Sequence, residues 1–122
     1  SNEIKVNDRK FSCKRVSNNV LWIEFDKFFR EPTHSADYKY ISDKFDWIFI
    51  SNFFTADDDQ IDIIRRFISF IDIAYINKTK IKFFFNNIDQ DKIYLGKKIE
   101  NLWSRCGSRL FEMQSKEYFF NK

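Results

Sequence analysis

The chain opens on short alternations of apolar and polar residues. Ile4 and Val6 fall on one side of an extended segment, Asn7-Asp8 supplies a turn, and Phe11 and Cys13 alternate again. A second turn, Ser17-Asn18-Asn19, precedes Val20-Leu21-Trp22-Ile23 and Phe25. Period-two alternation broken by Asn/Asp pairs predicts an antiparallel β-meander across residues 3–25. Residues 26–30 then read as a short helical turn closed by Glu31-Pro32. Ser35 stands where it can cap a helix carrying Tyr38, Ile41 and Phe45 at helical spacing.

The segment 45–50, Phe-Asp-Trp-Ile-Phe-Ile, is too apolar for a sheet edge and predicts a strand covered on both faces. Asp57-Asp58-Asp59 opens the longest helix, placing negative charge where the helix dipole favours it. Ile61, Ile64, Ile68, Ile71 and Tyr75 form one stripe, and Ile63, Phe67, Phe70 and Ala74 widen it. Only Asp62, Arg65, Arg66, Ser69 and Asp72 remain as a polar strip, so the helix is expected to be buried over most of its surface. Residues 81–85 read as another strand, which makes 45–86 a βαβ unit with parallel strands. Two helices, 97–105 and 108–118, follow on either side of Gly107. The predicted class is α/β: a mixed sheet, built from the N-terminal antiparallel β-meander and the βαβ unit, with helices packed on it and two C-terminal helices. Residues 3–122 form a single domain in this reading, and Ser1-Asn2 looks like a tag remnant.

Composition supports a folded body: 122 residues fit one core, and apolar residues are 43% of the chain, with 16 Phe and 3 Trp. Charge discriminates little. Lys and Arg number 21 against 18 Asp and Glu, a net +3 with the signs interspersed, so no basic stripe marks a nucleic-acid binder. The aromatic runs around Trp47 and Phe83-Phe84-Phe85 read as core rather than as a base-stacking surface. No stretch is long enough to span a membrane and no signal pattern opens the chain. Cys13 and Cys106 lie far apart without metal-ligand spacing, which suits reduced thiols in a cytoplasmic protein; a disulfide between them is the minority reading.

The chemistry of a complete enzyme is missing. Phosphate-cradling loops need glycine, and Gly96 and Gly107 do not sit between a strand and a helix ahead of Lys-Ser/Thr, so there is no P-loop. The sole histidine, His34, has no recognisable catalytic partner, and no zinc ligand set exists. The aspartates 57–59 read as helix capping rather than as a cation site, and Asp62 as a local ion-pair partner of Arg65 and Arg66. The sharper alternative lets one of these arginines cross a domain interface to a phosphate or carboxylate.

Two blocks carry a family resemblance. Arg65-Arg66-Phe67-Ile68, with Ile71-Asp72 and Tyr75, resembles an RRFI…D…Y signature of the ZapE-type AAA+ ATPases. These are bacterial cell-division ATPases related to the mitochondrial lactation-elevated (AFG-one-like) ATPase. Arg105, Ser108-Arg109-Leu110, Glu112-Met113-Gln114-Ser115 and Tyr118 are similar to that family's closing R-T-x-S-R-L-x-E-M-Q-S-x-x-Y. Asp37-Tyr38 after Phe29 resembles its F…D-Y segment, and Val6 with Arg9-Lys10 its V-x-G-R strand pair. Asp8 stands in place of that glycine, Cys106 in place of Thr, and Phe28-Phe29 in place of Leu-Cys.

The resemblance implies a C-terminal α/β domain of a larger ATPase whose Walker motifs lie upstream. The intact protein would use ATP and Mg²⁺ and release ADP and phosphate; this piece alone would hold no cofactor, metal or catalytic residue and be inactive. Arg65, Arg66 and Arg109 are its candidates for nucleotide sensing or the interface. Its implied partners are its own upstream P-loop core and the tubulin-like division-ring protein or another client, in the bacterial cytoplasm, without a membrane span or nucleic acid. A stand-alone protein-interaction module is the alternative.

Overall fold

Strands β1 (Glu3–Val6) and β2 (Arg9–Ser12) close a hairpin through Asn7 and Asp8, both at positive φ (49° and 70°), as a two-residue turn matching strand twist requires. The computed structural model describes residues 2–120. Ser1, half of the expected tag remnant, and residues 121–122 of the expected domain lie outside that range. Asn2 accepts from the Cys13 backbone amide at 2.9 Å, extending the hairpin ladder.

The expected meander divides between two sheets. The hairpin stands as its own two-stranded sheet, while β3 (Arg15–Val16) pairs antiparallel with β4 (Val20–Glu24) at the edge of a four-stranded sheet of order β3-β4-β5-β6. From β4 onward the sheet is parallel: β4 to β5 (Trp47–Ser51) and β5 to β6 (Lys80–Phe83). Two βαβ units are therefore present, one more than the hydrophobic pattern predicts. The first crosses over through α2 (Ser35–Lys44), after the single turn α1 (Phe25–Phe28); the second through α3 (Ile61–Ile76).

The parallel strands advance in one direction along the sheet. Right-handed crossovers then place both connecting helices on the same face, and α2 packs against α3 as that rule requires. Leu21, Ile23, Ile48, Ile50, Ile81 and Phe83 point into the core shared with Phe67, Phe70 and Ile71 of α3. The intervening strand positions are different. Trp22, Trp47 and Phe49 are only half-buried and Phe84 is exposed, so β5 is not covered on both faces as its apolar run predicts.

Helix α4 (Glu100–Met113) runs straight through Gly107, where a break is expected; the chain turns instead at Gln114-Ser115 into α5 (Lys116–Phe120). An interior glycine costs roughly 1 kcal/mol, and the buried Trp103, Cys106, Leu110 and Met113 on the inner side of α4 outweigh it. Buried Tyr118 anchors α5 by donating to the Thr79 carbonyl at 2.7 Å, and burial pushes its phenol well above the ordinary tyrosine range.

Candidate functional site

Several of the arginines and acids singled out by sequence gather in two places. The first lies between α3 and α4. Asp72 faces Arg109 with Nη1 to Oδ1 at 2.6 Å, and Arg105 Nη2 stands 3.9 Å from the other carboxylate oxygen. One turn along, the Tyr75 hydroxyl donates to the Glu112 carboxylate at 2.9 and 3.0 Å, and the Arg109 guanidinium lies 4.8 Å from the Tyr75 ring centroid. The hydrogen bond to Glu112 raises the Tyr75 phenol above its usual value. Beneath this clamp Cys106 is buried, and burial first, then the Asp72 charge, drive its thiol far up. Met113 is in the core; Ser108 faces solvent and reaches only the Ser104 carbonyl, at 3.4 Å. Gln114 donates to Gln90 Oε1 at 2.9 Å, and Gln90 donates to the Gly107 carbonyl at 3.1 Å. The closing block is thus read residue by residue as the seam that holds the last helices to α3.

The second place joins the hairpin to α2. Asp37 is wholly buried, ion-paired with Arg9, and accepts from the His34 backbone amide at 2.9 Å, the reach-back bond of a capping box. The helix is therefore capped from His34, one residue before the expected Ser35. Asp37 Oδ1 has no partner among the described residues. Arg9 also donates to the Pro32 carbonyl at 3.1 Å and lies 4.7 Å from the Phe11 ring centroid. Tyr38 shares a 2.8 Å hydrogen bond with Thr33, and burial lifts its phenol to about 12. Its ring meets Phe28, Phe29 and Phe70, the aromatic packing beside Phe67.

The three candidate arginines are treated differently by the fold. Arg66 donates to the Phe29 carbonyl at 3.0 Å, satisfying the end of α1. Arg109 is held by Asp72. Arg65 is exposed and has no partner among the described residues. The expected pairing of Asp62 with Arg65 and Arg66 is not formed: Arg66 turns to the Phe29 carbonyl, and Asp62 and Arg65 make no ion pair among the described residues.

A third cluster escaped the sequence reading. Asp57 caps a 3₁₀ turn (Asp58–Gln60), accepting from the Asp59 amide at 2.9 Å, as expected for a helix start. Asp58 instead accepts from the Tyr94 hydroxyl and from the backbone amides of Lys97 (3.0 Å) and Lys98 (3.3 Å). Those bonds, the Tyr94 hydroxyl foremost, hold its carboxyl below the usual 3.8. A Cβ at Gly96 would collide with both Asp58 and Tyr94, so glycine is required for this close approach. The partners are 36 to 40 residues apart, and no local pattern announces them.

The strand-to-helix loop after β5, residues 52–57, offers no backbone cradle for a nucleotide's phosphates. It has no glycine, buries Phe53 and Ala56, and ends on an acidic cap that occupies the helix-start amide. Among the described residues, no group of three or more His, Cys, Asp or Glu side chains could hold a metal ion. No helix among the described residues is long and apolar enough to cross a membrane.

Comparison with known proteins agrees with the motif blocks. A family model described as AFG1-like ATPase matches residues 1–122. The chain is 32% identical over 79 residues to an uncharacterized protein of Schizosaccharomyces pombe; the match covers 65% of this chain and 17% of that protein. No solved structure matches.

Proposed function

This chain belongs to the AFG1-like ATPase family, and from that membership we propose that it is the C-terminal α/β part of a protein that hydrolyses ATP with Mg²⁺ through a P-loop core outside these residues. In this proposal the phosphate cradle and the hydrolytic groups belong to that core. The contribution of the C-terminal part is to pack against the core and to leave Arg65, exposed on α3, as the group that meets nucleotide charge, on the side where a second copy of the protein can bring it. One observation carries that assignment: of Arg65, Arg66 and Arg109, only Arg65 is left without an internal partner among the described residues. A guanidinium is suited to phosphate because it stays charged and donates in a planar fork.

The client of such an ATPase would be another protein, with the tubulin-like division-ring protein the bacterial candidate that the motif resemblance brings, and the bacterial cytoplasm its setting. The assignment is tested in the full-length protein by phosphate release from Arg65→Ala. A loss of turnover on the order of 10-fold or more, with an unchanged melting curve, is expected for an arginine that meets nucleotide charge. Wild-type turnover in that variant removes Arg65 from the role.

A further inference from the structure

The parallel sheet has one bare face. Its outward strand positions are Val20, Trp22 and Glu24 on β4, Trp47, Phe49 and Ser51 on β5, and Lys80 and Lys82 on β6, in register as Trp22–Phe49–Lys82 and Val20–Trp47–Lys80, with Phe84 just beyond. The rings form a continuous surface: Trp22 to Phe49 is 6.5 Å between centroids, Phe49 to Phe84 5.8 Å, Trp22 to Phe84 6.3 Å and Trp47 to Phe49 6.5 Å. Phe119 of α5 covers only the Trp47 end, at 5.5 Å. Between Trp22, Phe49 and Phe84 lies an open groove of about 430 Å³ bordered by Lys14, Glu24 and Asn52.

Parallel sheets occur almost only with both faces covered, because their crossovers bring helices and their strands are apolar throughout. Here both crossovers are used up on the other face. The bare face therefore calls for a second layer that the described residues do not supply. Its borders say what kind. Lys14 lies 6.0 Å from the Trp22 ring and Lys80 5.8 Å from the Trp47 ring, and Arg15 and Lys82 occupy further outward positions, against the single outward acid Glu24. Two copies of the face would oppose cation to cation, which disfavours a symmetric self-pairing. The matched relative, of which the chain spans 17%, shows that such proteins carry ample further polypeptide.

We propose that this aromatic sheet face is the docking surface for the P-loop portion of the same polypeptide, which lays an apolar, acid-flanked helical layer across Trp22, Trp47, Phe49 and Phe84. The proposal rests on the reading of the chain as part of a larger ATPase, and it locates the interface on the side of the sheet away from α2 and α3. Rings on this surface contribute to docking through burial, and the lysines fix orientation by meeting acids.

The test uses full-length protein. Hydroxyl-radical footprinting is expected to oxidise Trp22, Trp47, Phe49 and Phe84 several-fold more slowly than the exposed Phe111 and Phe120. Cross-linking of lysines to acids, in a mixture of light and heavy-isotope protein, is expected to join Lys14, Lys80 or Lys82 to acids of the same chain outside residues 1–122. Oxidation of the four rings as fast as Phe111 overturns the proposal, as do cross-links that run only between the 1–122 segments of different copies. ATP turnover on the same sample reports separately on the ATPase reading: a protected face without turnover removes that reading and leaves the docking face standing.

Discussion

Asp72 and Arg109 meet across the α3–α4 seam at 2.6 Å, each about 30% exposed (31% and 28%). The pair fixes how α4 lies on α3, with Arg109 also stacked on Tyr75. Its partial exposure limits its worth, since water and salt screen such pairs. The pair between Arg9 and Asp37 differs, because Asp37 is wholly buried and would be left as an uncompensated charge.

Arg109→Ala is accordingly expected to cost about 1 kcal/mol. Arg9→Ala is expected to cost roughly 2–3 kcal/mol, below the full figure for a buried pair because the arginine itself is partly exposed. Urea denaturation of both variants checks the ranking. Equal losses, or a larger one for Arg109→Ala, would show that the α3–α4 seam rather than the hairpin bears the more desolvated charge.

Asp8 sits at φ 70° in the hairpin turn, at the position where the resembling motif has glycine. An L-residue is strained there and glycine is not. Asp8→Gly is therefore expected to stabilise the chain by about 0.5 kcal/mol, the relief of strain being partly offset by the greater freedom of the unfolded chain. Asp8→Val, β-branched and unable to adopt this conformation easily, is expected to destabilise. Thermal melts of the two variants should move in opposite directions; shifts of the same sign would contradict the turn geometry.

The Asp58 cluster predicts a pH dependence. Its folded carboxyl is held below 3.8, so its contribution to stability is present above the unfolded pKa and is lost as pH falls through the lower, folded value. Asp58→Asn is expected to lower stability at neutral pH and to flatten the decline below pH about 4. Denaturation midpoints from pH 3 to 7, in steps of about one unit, test this; parallel profiles for variant and parent would contradict it. Gly96→Ala, whose added methyl meets Asp58 and Tyr94, is expected to cost about 1–3 kcal/mol at any of these pH values.

Much of this was legible in the chain. The stripe from Ile61 to Tyr75 specifies α3 because it is long and strongly periodic, and the polar strip of the same helix contains Asp72 and Arg66, both of which turn out to be engaged. What local pattern cannot carry is pairing direction: Val20 to Phe25 looks the same whether β4 ends a meander or begins a parallel sheet. The same blindness made the run at Trp47–Ser51 look covered on both faces. Its apolar composition is real, but the sheet's one-directional winding leaves Trp47 and Phe49 on the bare side. Gly107 misled because a helix with one buried side tolerates a glycine on its other flank. Asp58 was hidden by distance alone, its partner Tyr94 lying in a loop of no regular pattern.

Phosphate release, measured with ATP and Mg²⁺ on residues 1–122 alone and on the full-length protein that contains them, asks most directly whether this α/β part serves a hydrolytic core it does not itself hold. Turnover by the full-length protein and none above background by residues 1–122 is the predicted result. Hydrolysis by residues 1–122 alone, or none by a folded full-length protein, would contradict it.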